Sequence, residues 1–103
     1  MPYGTPDFTL PEGLTTIEES AFEGVAGMTV VDASHCTSIG AYSFKDTGLT
    51  QIRLPGTCEI NDTAFYGLEQ VYVFAPAGST QDFCNAHNNL VFVEETEEPL
   101  SNN

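Results

Sequence analysis

The chain has 103 residues, of which 15 are Asp or Glu and 2 are Lys or Arg, so its formal net charge is −13. This length fits one domain. Hydrophobic residues make up 41% of the sequence and aromatic residues 11%, which is enough to form a core despite the charge and argues against a disordered chain.

The two basic side chains, Lys45 and Arg53, are too few to hold a nucleic-acid backbone or an anionic membrane surface, because such binding depends on several cations acting together. We therefore expect neither partner. No apolar run approaches the roughly 20 residues that a membrane-spanning helix needs. The first residues contain neither the basic nor the apolar region of a secretion signal. The sequence predicts no membrane insertion and no signal peptide within this chain.

A unit of 21 to 22 residues recurs along the chain. Three segments begin with Ile and end with Phe, at residues 17–22, 39–44 and 60–65, and a short alternating apolar stretch precedes each of them. A fourth stretch of this kind starts at Val71. Since one such unit is too small to bury its own apolar side, the repeat predicts a stack of successive coils that share one core.

Alternation with a period of two is typical of half-buried β-strands, so every second residue of these stretches should face the core. The predicted inward residues are Phe8, Leu10, Val31, Ala33, Ile52, Leu54, Val71 and Val73. The residues between them should point outward and form one row across a parallel sheet, namely Thr9, Asp32, Arg53 and Tyr72.

The Ile-x-x-x-Ala/Ser-Phe spacing favours a short helical turn on the opposite face of each coil. Ser20 and Thr63 are suited to cap two of these turns. Ile and Phe would then close the core from that side. The glycines at 24, 48 and 67 predict the turns that lead to the next strand.

The pattern changes after the third unit, where the sequence predicts a strand, a helix and a second strand. The helix should run from Ser79 to about Asn88. Ser79 and Asp82 resemble a capping box, and Asn88 with Asn89 would end the helix in a left-handed conformation. This last unit would cover the end of the stack.

The phrase Leu-Pro-x-x-Leu-Thr-x-Ile-x-x-x-Ala-Phe-x-Gly is complete from Leu10 to Gly24. It resembles the repeat of the BspA-like leucine-rich repeat family of bacterial and some protozoan surface proteins. The second copy lacks the Leu-Pro pair and has Ser43 in place of the Ala, and the third copy is one residue shorter. The later Ala-Pro-Ala-Gly-Ser-x-x-x-Phe-Cys stretch resembles that family's carboxyl-terminal end piece, so the resemblance covers about residues 8–93.

The repeat and the resemblance together predict an α/β fold. It is a right-handed leucine-rich-repeat solenoid of about 3.5 coils, with a parallel sheet on one face, short helical turns on the other and a C-terminal strand-helix-strand cap. Residues 1–7 would be a lead-in too short to cover the first coil, residues 8–70 the repeat coils and residues 71–93 the capping repeat. Residues 94–103 would be an acidic, mobile tail.

The outward row of the sheet is the candidate binding surface, because a solenoid presents it on rigid backbone and because Tyr and Arg often dominate interfaces. The candidate residues are Asp32, Arg53, Tyr72, Thr9 and Gln51. Asp32 and Arg53 also fall on adjacent strands, so an ion pair across the ladder is an open alternative. Phe74 is the weaker aromatic candidate, since it would turn inward at the end of its strand.

Members of the family are typically exported and are associated with adhesion and with binding of partner proteins. The resemblance therefore implies a non-enzymatic protein-binding or adhesion-type module of a bacterial cell-surface or secreted protein, whose partner is a protein or a host-surface macromolecule. The alternative is a purely structural C-terminal end of a longer extracellular repeat stalk. An uncapped N-terminal coil would also allow self-association.

No pattern in the sequence indicates catalysis or a metal site. No Gly-x-Ser-x-Gly, His-Glu-x-x-His or phosphate-binding glycine loop occurs, and the family supplies no catalytic residues or cofactor. His35, His87 and three cysteines are the soft metal ligands, but their spacing does not bring four of them to one zinc ion. The acidic clusters around Glu18 and Glu94 lack the loop spacing of a calcium site.

The three cysteines, Cys36, Cys58 and Cys84, cannot all pair within one chain, so this is not a disulfide scaffold. We expect them to act as small buried hydrophobic residues. Cys36 and Cys58 fall in neighbouring coils, where strands lie about 4.8 Å apart, so a disulfide between them remains an open alternative.

Overall fold

The computed structural model of the chain describes residues 3–95. Their elements are β1 (Phe8–Thr9), β2 (Thr16–Ile17), β3 (Val30–Asp32), β4 (Ser38–Ile39), β5 (Gln51–Arg53), β6 (Glu59–Ile60), β7 (Val71–Ala75), α1 (Ser79–Asn85) and β8 (Leu90–Glu94). A five-stranded sheet has the order β1-β3-β5-β7-β8, and a three-stranded sheet has the order β2-β4-β6. All pairings are parallel. The chain therefore forms a solenoid of about four turns, which confirms the predicted fold.

The core lies between the two sheets and is built by the alternating apolar residues of the repeat. Val31, Ile52 and Val73 occupy matching positions on β3, β5 and β7, and each is fully buried. On the opposite side Ile17, Ile39 and Ile60 pair in register across β2, β4 and β6. Burial of these aligned side chains in successive turns is the main source of stability in such a stack.

A ladder of phenylalanine rings closes the core beside the isoleucine row. Phe22 and Phe44 are stacked with ring centroids 5.6 Å apart, and Phe44 and Phe65 with centroids 5.4 Å apart. Phe44 is fully buried at the centre of the ladder. Phe8 extends the ladder in an edge-on contact with Phe22 at 6.3 Å. The prediction that Ile and Phe close the core together is confirmed.

The segments that follow these isoleucines are non-helical turns, so the prediction of short helical turns there is wrong. Ala21 N–H donates to the carbonyl of Glu18 at 3.1 Å, but Phe22 N–H donates to Ser43 in the next coil at 3.0 Å. Bonds between coils thus replace the bonds along the chain that a helix would need. Ser20 has φ 58°, which no N-cap residue adopts, and Thr63 donates to Asn61 Oδ1, so neither caps a helix.

The return turns use a left-handed residue at the same position of each coil. Gly24 and Gly67 have φ 83°, and Asp46 occupies the equivalent position of the second coil with φ 60°. Gly48 lies after the turn of the second coil and is not its left-handed residue. It must be small because a Cβ there would lie 2.8 Å from the carbonyl oxygen of Ala26.

The C-terminal unit has the predicted strand-helix-strand order, with a shorter helix that begins differently. Gly78 precedes α1 and no side chain caps it, so the predicted capping box is wrong. Ser79 Oγ instead accepts a bond from Cys58 N–H at 3.3 Å, and Thr80 Oγ1 donates to the Pro55 carbonyl at 2.7 Å. These bonds fix the start of the helix to the third coil.

The helix ends at Asn85 and not near Asn88, and its C-cap residue Ala86 has right-handed backbone angles. The predicted left-handed end at Asn88 and Asn89 is wrong, since neither residue has a positive φ. The Asn89 amide donates to the carbonyls of Phe65 and Leu68 at 3.2 and 3.0 Å, which ties the entry of β8 to the third coil. β8 runs to Glu94, and the rest of the predicted acidic tail, residues 96–103, lies outside the described residues.

The first coil has three partly exposed apolar side chains. Phe8 was expected inside but is 38% exposed, and Leu14 and Val25 of the same coil are each 36% exposed. Phe8 lies on the edge strand β1, which has a neighbour on one side only. Among residues 3–95 the structure contains no helix with the length and apolar character to cross a membrane.

Candidate functional site

The strand register defines two outward rows on the five-stranded sheet, and it corrects the predicted row. Thr9, Asp32 and Arg53 align as predicted, but the next residue in that row is Phe74. Tyr72 lies in the neighbouring row, where it pairs with Gln51 on one side and with Val91 on the other. Tyr72 is thus displaced by two residues along β7 from the place predicted for it.

Asp32 and Thr9 form the open part of the first row. Thr9 is exposed and Asp32 is half-buried. Asp32 Oδ1 accepts bonds from Ser34 N–H at 3.1 Å and from Ser34 Oγ at 2.8 Å, which fixes the carboxylate at the end of β3. A carboxylate held in this way keeps free lone pairs for a partner's donor.

Arg53 is held by a residue that the sequence reasoning did not consider. Its Nε and Nη2 donate to the two carboxylate oxygens of Glu95 at 3.0 and 2.8 Å. This two-point hydrogen bond raises the pKa of Arg53. The bonds of the guanidinium thus go to Glu95, which is 42 residues away, and not to Asp32 on the adjacent strand.

Residues 3–7 lie across the outer face of the sheet, and we call them the N-terminal strap. The Tyr3 ring contacts the Phe74 ring edge-on with centroids 5.1 Å apart, and Arg53 Cζ lies 4.4 Å from the Tyr3 centroid. Gly4 N–H donates to Gln51 Oε1 at 2.6 Å. Gln51 is consequently 8% exposed and Phe74 2% exposed, although both occupy outward positions.

The strap is the element of this face that sequence reasoning missed. Tyr3, the single aromatic residue of the lead-in, was the available signal, because a Tyr usually packs its ring when an apolar partner is near. Burial raises the pKa of Tyr3 to about 12, so the phenol stays protonated and donates to the Val31 carbonyl at 2.6 Å.

Tyr72 is half-buried, and so is Val91, its partner on β8. The two side chains form a small apolar strip on adjacent strands beside the strap, and Gln51 separates Tyr72 from Val30. An aromatic side chain on such a strip is typical of the centre of an interface.

A second concave region lies on the opposite side, between the third coil and the cap. It is a shallow cleft of about 170 Å³, lined by Asp62, Phe65, Tyr66, Gly67, Phe83, His87, Asn89 and Leu90. Phe83 and His87 are stacked with centroids 4.1 Å apart, and His87 Nε2 is 3.8 Å from Asp62 Oδ1. No Ser, Thr or Cys is among these lining residues.

The three cysteines are buried free thiols, as predicted, and the structure contains no bond between Cys36 and Cys58. Burial raises the pKa of Cys58 to about 12 and that of Cys84 to about 11. The Cys36 thiol, whose pKa burial also raises, donates to the Leu14 carbonyl at 3.4 Å. Within residues 3–95 no three His, Cys, Asp or Glu side chains lie close enough together to hold a metal ion.

Comparison with known proteins gives one match. The model of the BspA-type leucine-rich repeat region, which contains six copies of the repeat, matches residues 4–91. No curated protein matches the chain. No solved structure matches it either.

Proposed function

Because the chain belongs to the BspA-type leucine-rich repeat family, we propose that it is a non-enzymatic protein-binding module of a bacterial cell-surface or secreted protein, of the kind that supports adhesion. The family is generally a protein-interaction fold, and its repeats are typical of bacterial surface proteins. The binding surface in this proposal is the outer face of the five-stranded sheet, at Tyr72 with Asp32 and Thr9.

The observation that carries this proposal is the apolar strip of Tyr72 and Val91 on two adjacent strands of the sheet. A half-exposed Tyr on rigid backbone loses little conformational entropy when it is buried by a partner. Asp32 adds a fixed carboxylate on β3 of the same sheet face, so a partner with a basic or hydroxyl side chain can bond there.

Charge supports a basic partner. Lys45 faces Glu23 at 3.5 Å and Asp46 at 3.8 Å, and Arg53 faces Glu95 at 2.8 Å. Both basic residues of the chain are therefore matched internally, while the net charge is −13. Such a surface attracts positively charged proteins and repels acidic ones, and the attraction weakens as salt is added.

A peptide-display selection against the immobilised protein tests this proposal. We expect the selected peptides to share a basic-aromatic pattern and to lose at least tenfold in affinity on Tyr72→Ala. Tyr66→Ala is the matched control, because Tyr66 is 57% exposed on the opposite face. Selected peptides that bind wild type and Tyr72→Ala equally would contradict the sheet-face site.

The second candidate function is a structural end piece of a longer repeat stalk, with self-association as its solution behaviour. The exposed side chains of Phe8, Leu14 and Val25 on the first coil favour it, because another coil stacked there would cover them. Sedimentation equilibrium of wild type and Val25→Ser tests it. A concentration-dependent dimer that Val25→Ser abolishes supports this function, and a monomer at all concentrations contradicts self-association.

A further inference from the structure

The N-terminal strap is seated on the sheet face at three separate points. Asp7 accepts bonds from Thr29 Oγ1 at 2.5 Å and from Val30 N–H at 3.1 Å, at the start of β3. Gly4 bonds to Gln51 on β5, and Tyr3 reaches Phe74 on β7. The strap thus crosses three strands of the surface on which the proposed partner binds.

The contacts of Tyr3 define a subsite for one phenol side chain. The Phe74 ring forms an apolar wall, the Arg53 guanidinium lies over the ring face, and the Val31 carbonyl accepts the hydroxyl proton. These three groups recognise the ring surface, its quadrupole and its hydroxyl group. Phe lacks the donor for Val31, so the subsite favours Tyr.

Glu95, near the C-terminal end of the described chain, fixes the position of Arg53 in this subsite. Its carboxylate holds Arg53 by two hydrogen bonds and so keeps the guanidinium plane over the ring position. Glu95 N–H itself donates to the Ala75 carbonyl at 2.8 Å, which places the carboxylate next to β7. Arg53 is therefore positioned by the folded chain and not by Tyr3 alone.

The neighbouring position of the strap favours a small residue. A Cβ on Gly4 would lie 3.1 Å from Gln51 Oε1, the atom that accepts the Gly4 N–H bond. A side chain at this position would crowd the amide of Gln51. The sheet face therefore selects the sequence pattern Tyr-Gly-x-x-Asp, with the Asp at the amides of Thr29 and Val30.

We propose that the subsite of Phe74, Arg53 and Gln51 is a recognition site for a tyrosine-glycine segment of a partner protein, and that the strap fills this site within the same chain until such a segment displaces it. The inference rests on the proposed protein-binding function and names the chemistry of the partner. Among residues 3–95, the bond from Asp7 N–H to the Val30 carbonyl at 2.8 Å is the one backbone–backbone bond between the strap and a strand. The other strap bonds involve a side chain, so the strap leaves without breaking the sheet ladder.

Tethering gives the strap an advantage that a free peptide must overcome. A segment joined to its site by a short linker acts at an effective concentration of roughly millimolar. A free peptide with the same contacts therefore binds the wild type weakly, because the strap competes with it. In a chain without Tyr3 this competition is absent, and the peptide binds more tightly.

The test uses the full chain with Tyr3→Ala and a labelled synthetic peptide of residues 2–8, Pro-Tyr-Gly-Thr-Pro-Asp-Phe, followed by fluorescence anisotropy. We expect Tyr3→Ala to bind the peptide at least tenfold more tightly than wild type does. The control peptide with Ala in place of Tyr should not bind at the same concentrations. Tyr66→Ala should behave as wild type, since Tyr66 lies on the opposite face.

A folded Tyr3→Ala chain that does not prefer the Tyr peptide overturns the inference. If Tyr3→Ala does not fold, wild type with the peptide at several millimolar decides the matter. Movement of the Gly4 amide resonance towards its unfolded position supports displacement, and an unchanged resonance overturns it. Tyr72-dependent binding of selected peptides would leave the proposed function standing in either case, because that experiment does not depend on the strap.

Discussion

The rings of Phe44 and Phe65 lie parallel, with centroids 5.4 Å apart and planes inclined by 7°. The two residues occupy equivalent positions of successive coils, so the sequence repeat is what brings their rings into contact. Phe44 also stacks on Phe22 of the preceding coil. It is therefore the residue through which neighbouring coils are joined on this side of the core.

Phe44→Ala should remove this join and lower the free energy of unfolding by roughly 3–5 kcal/mol, because it leaves a cavity in a fully buried site. So short a stack would lose most of its stability. Chemical denaturation followed by circular dichroism measures the loss. Phe8→Ala is the control, since Phe8 is 38% exposed and should cost much less. Equal losses for the two variants would contradict the central place of Phe44.

Ser43→Ala should stabilise the protein. Ser43 is fully buried, and its hydroxyl finds no hydrogen-bond partner among residues 3–95. Removal of an unsatisfied buried hydroxyl should raise the free energy of unfolding by about 1 kcal/mol. Ala64 occupies the equivalent position of the third coil and is also fully buried. Ala64→Ser should therefore have the opposite effect, and a loss of stability in Ser43→Ala would argue for a bonded hydroxyl.

Asp7 should make stability depend on pH in the acid range. The Thr29 hydroxyl, followed by the amides of Val30 and Thr29, lowers the pKa of Asp7 below its usual 3.8. The folded state therefore binds this proton less readily than the unfolded state does, so the stabilisation is present above pH 3.8 and disappears as the pH falls through the folded pKa.

Asp7→Asn tests this dependence through melting temperatures between pH 2 and 7. The variant should melt below wild type at pH 7, and the two curves should converge towards pH 2. Glu12→Gln, in an exposed loop, should follow wild type throughout. A difference between Asp7→Asn and wild type that is constant with pH would show that the Asp7 charge is not the cause.

The cysteines should be chemically silent in the folded protein. Their raised pKa values and burial leave almost no reactive thiolate at pH 8. We expect Ellman's reagent to detect no fast-reacting thiol under native conditions, and all three thiols after denaturation. One thiol that reacts within seconds in the native protein would show that its coil opens. Two missing thiols after denaturation would point to a Cys36–Cys58 disulfide.

The error at Tyr72 has a physical reason. The alternation of apolar residues has a period of two, so moving β7 by two residues keeps the same faces inside and outside. The sequence pattern cannot distinguish Val71 from Val73 as the partner of Ile52. The backbone pairing chooses Val73, and this choice places Phe74 beside Arg53 and Tyr72 beside Gln51.

The helical turns were mispredicted for a related reason. The spacing of Ile39, Ser43 and Phe44 suits a helix, but it equally suits a turn whose amides bond to the next coil. Phe44 N–H donates to the Ala64 carbonyl at 3.0 Å. Local spacing says which side chains share a face, whereas the partner of each backbone amide depends on the neighbouring coil.

The sequence by itself determined the repeat, most inward residues of the five-stranded sheet and the common core, because these depend on side chains that recur every 21 to 22 residues and bury one another in register. Only the tertiary structure decided which part of the sheet face stays open. Tyr3 meets Val31 across 28 residues, Gly4 meets Gln51 across 47, and Arg53 meets Glu95 across 42. Each of these contacts joins a strand of the repeat to a segment outside the repeat, and no periodic pattern encodes it.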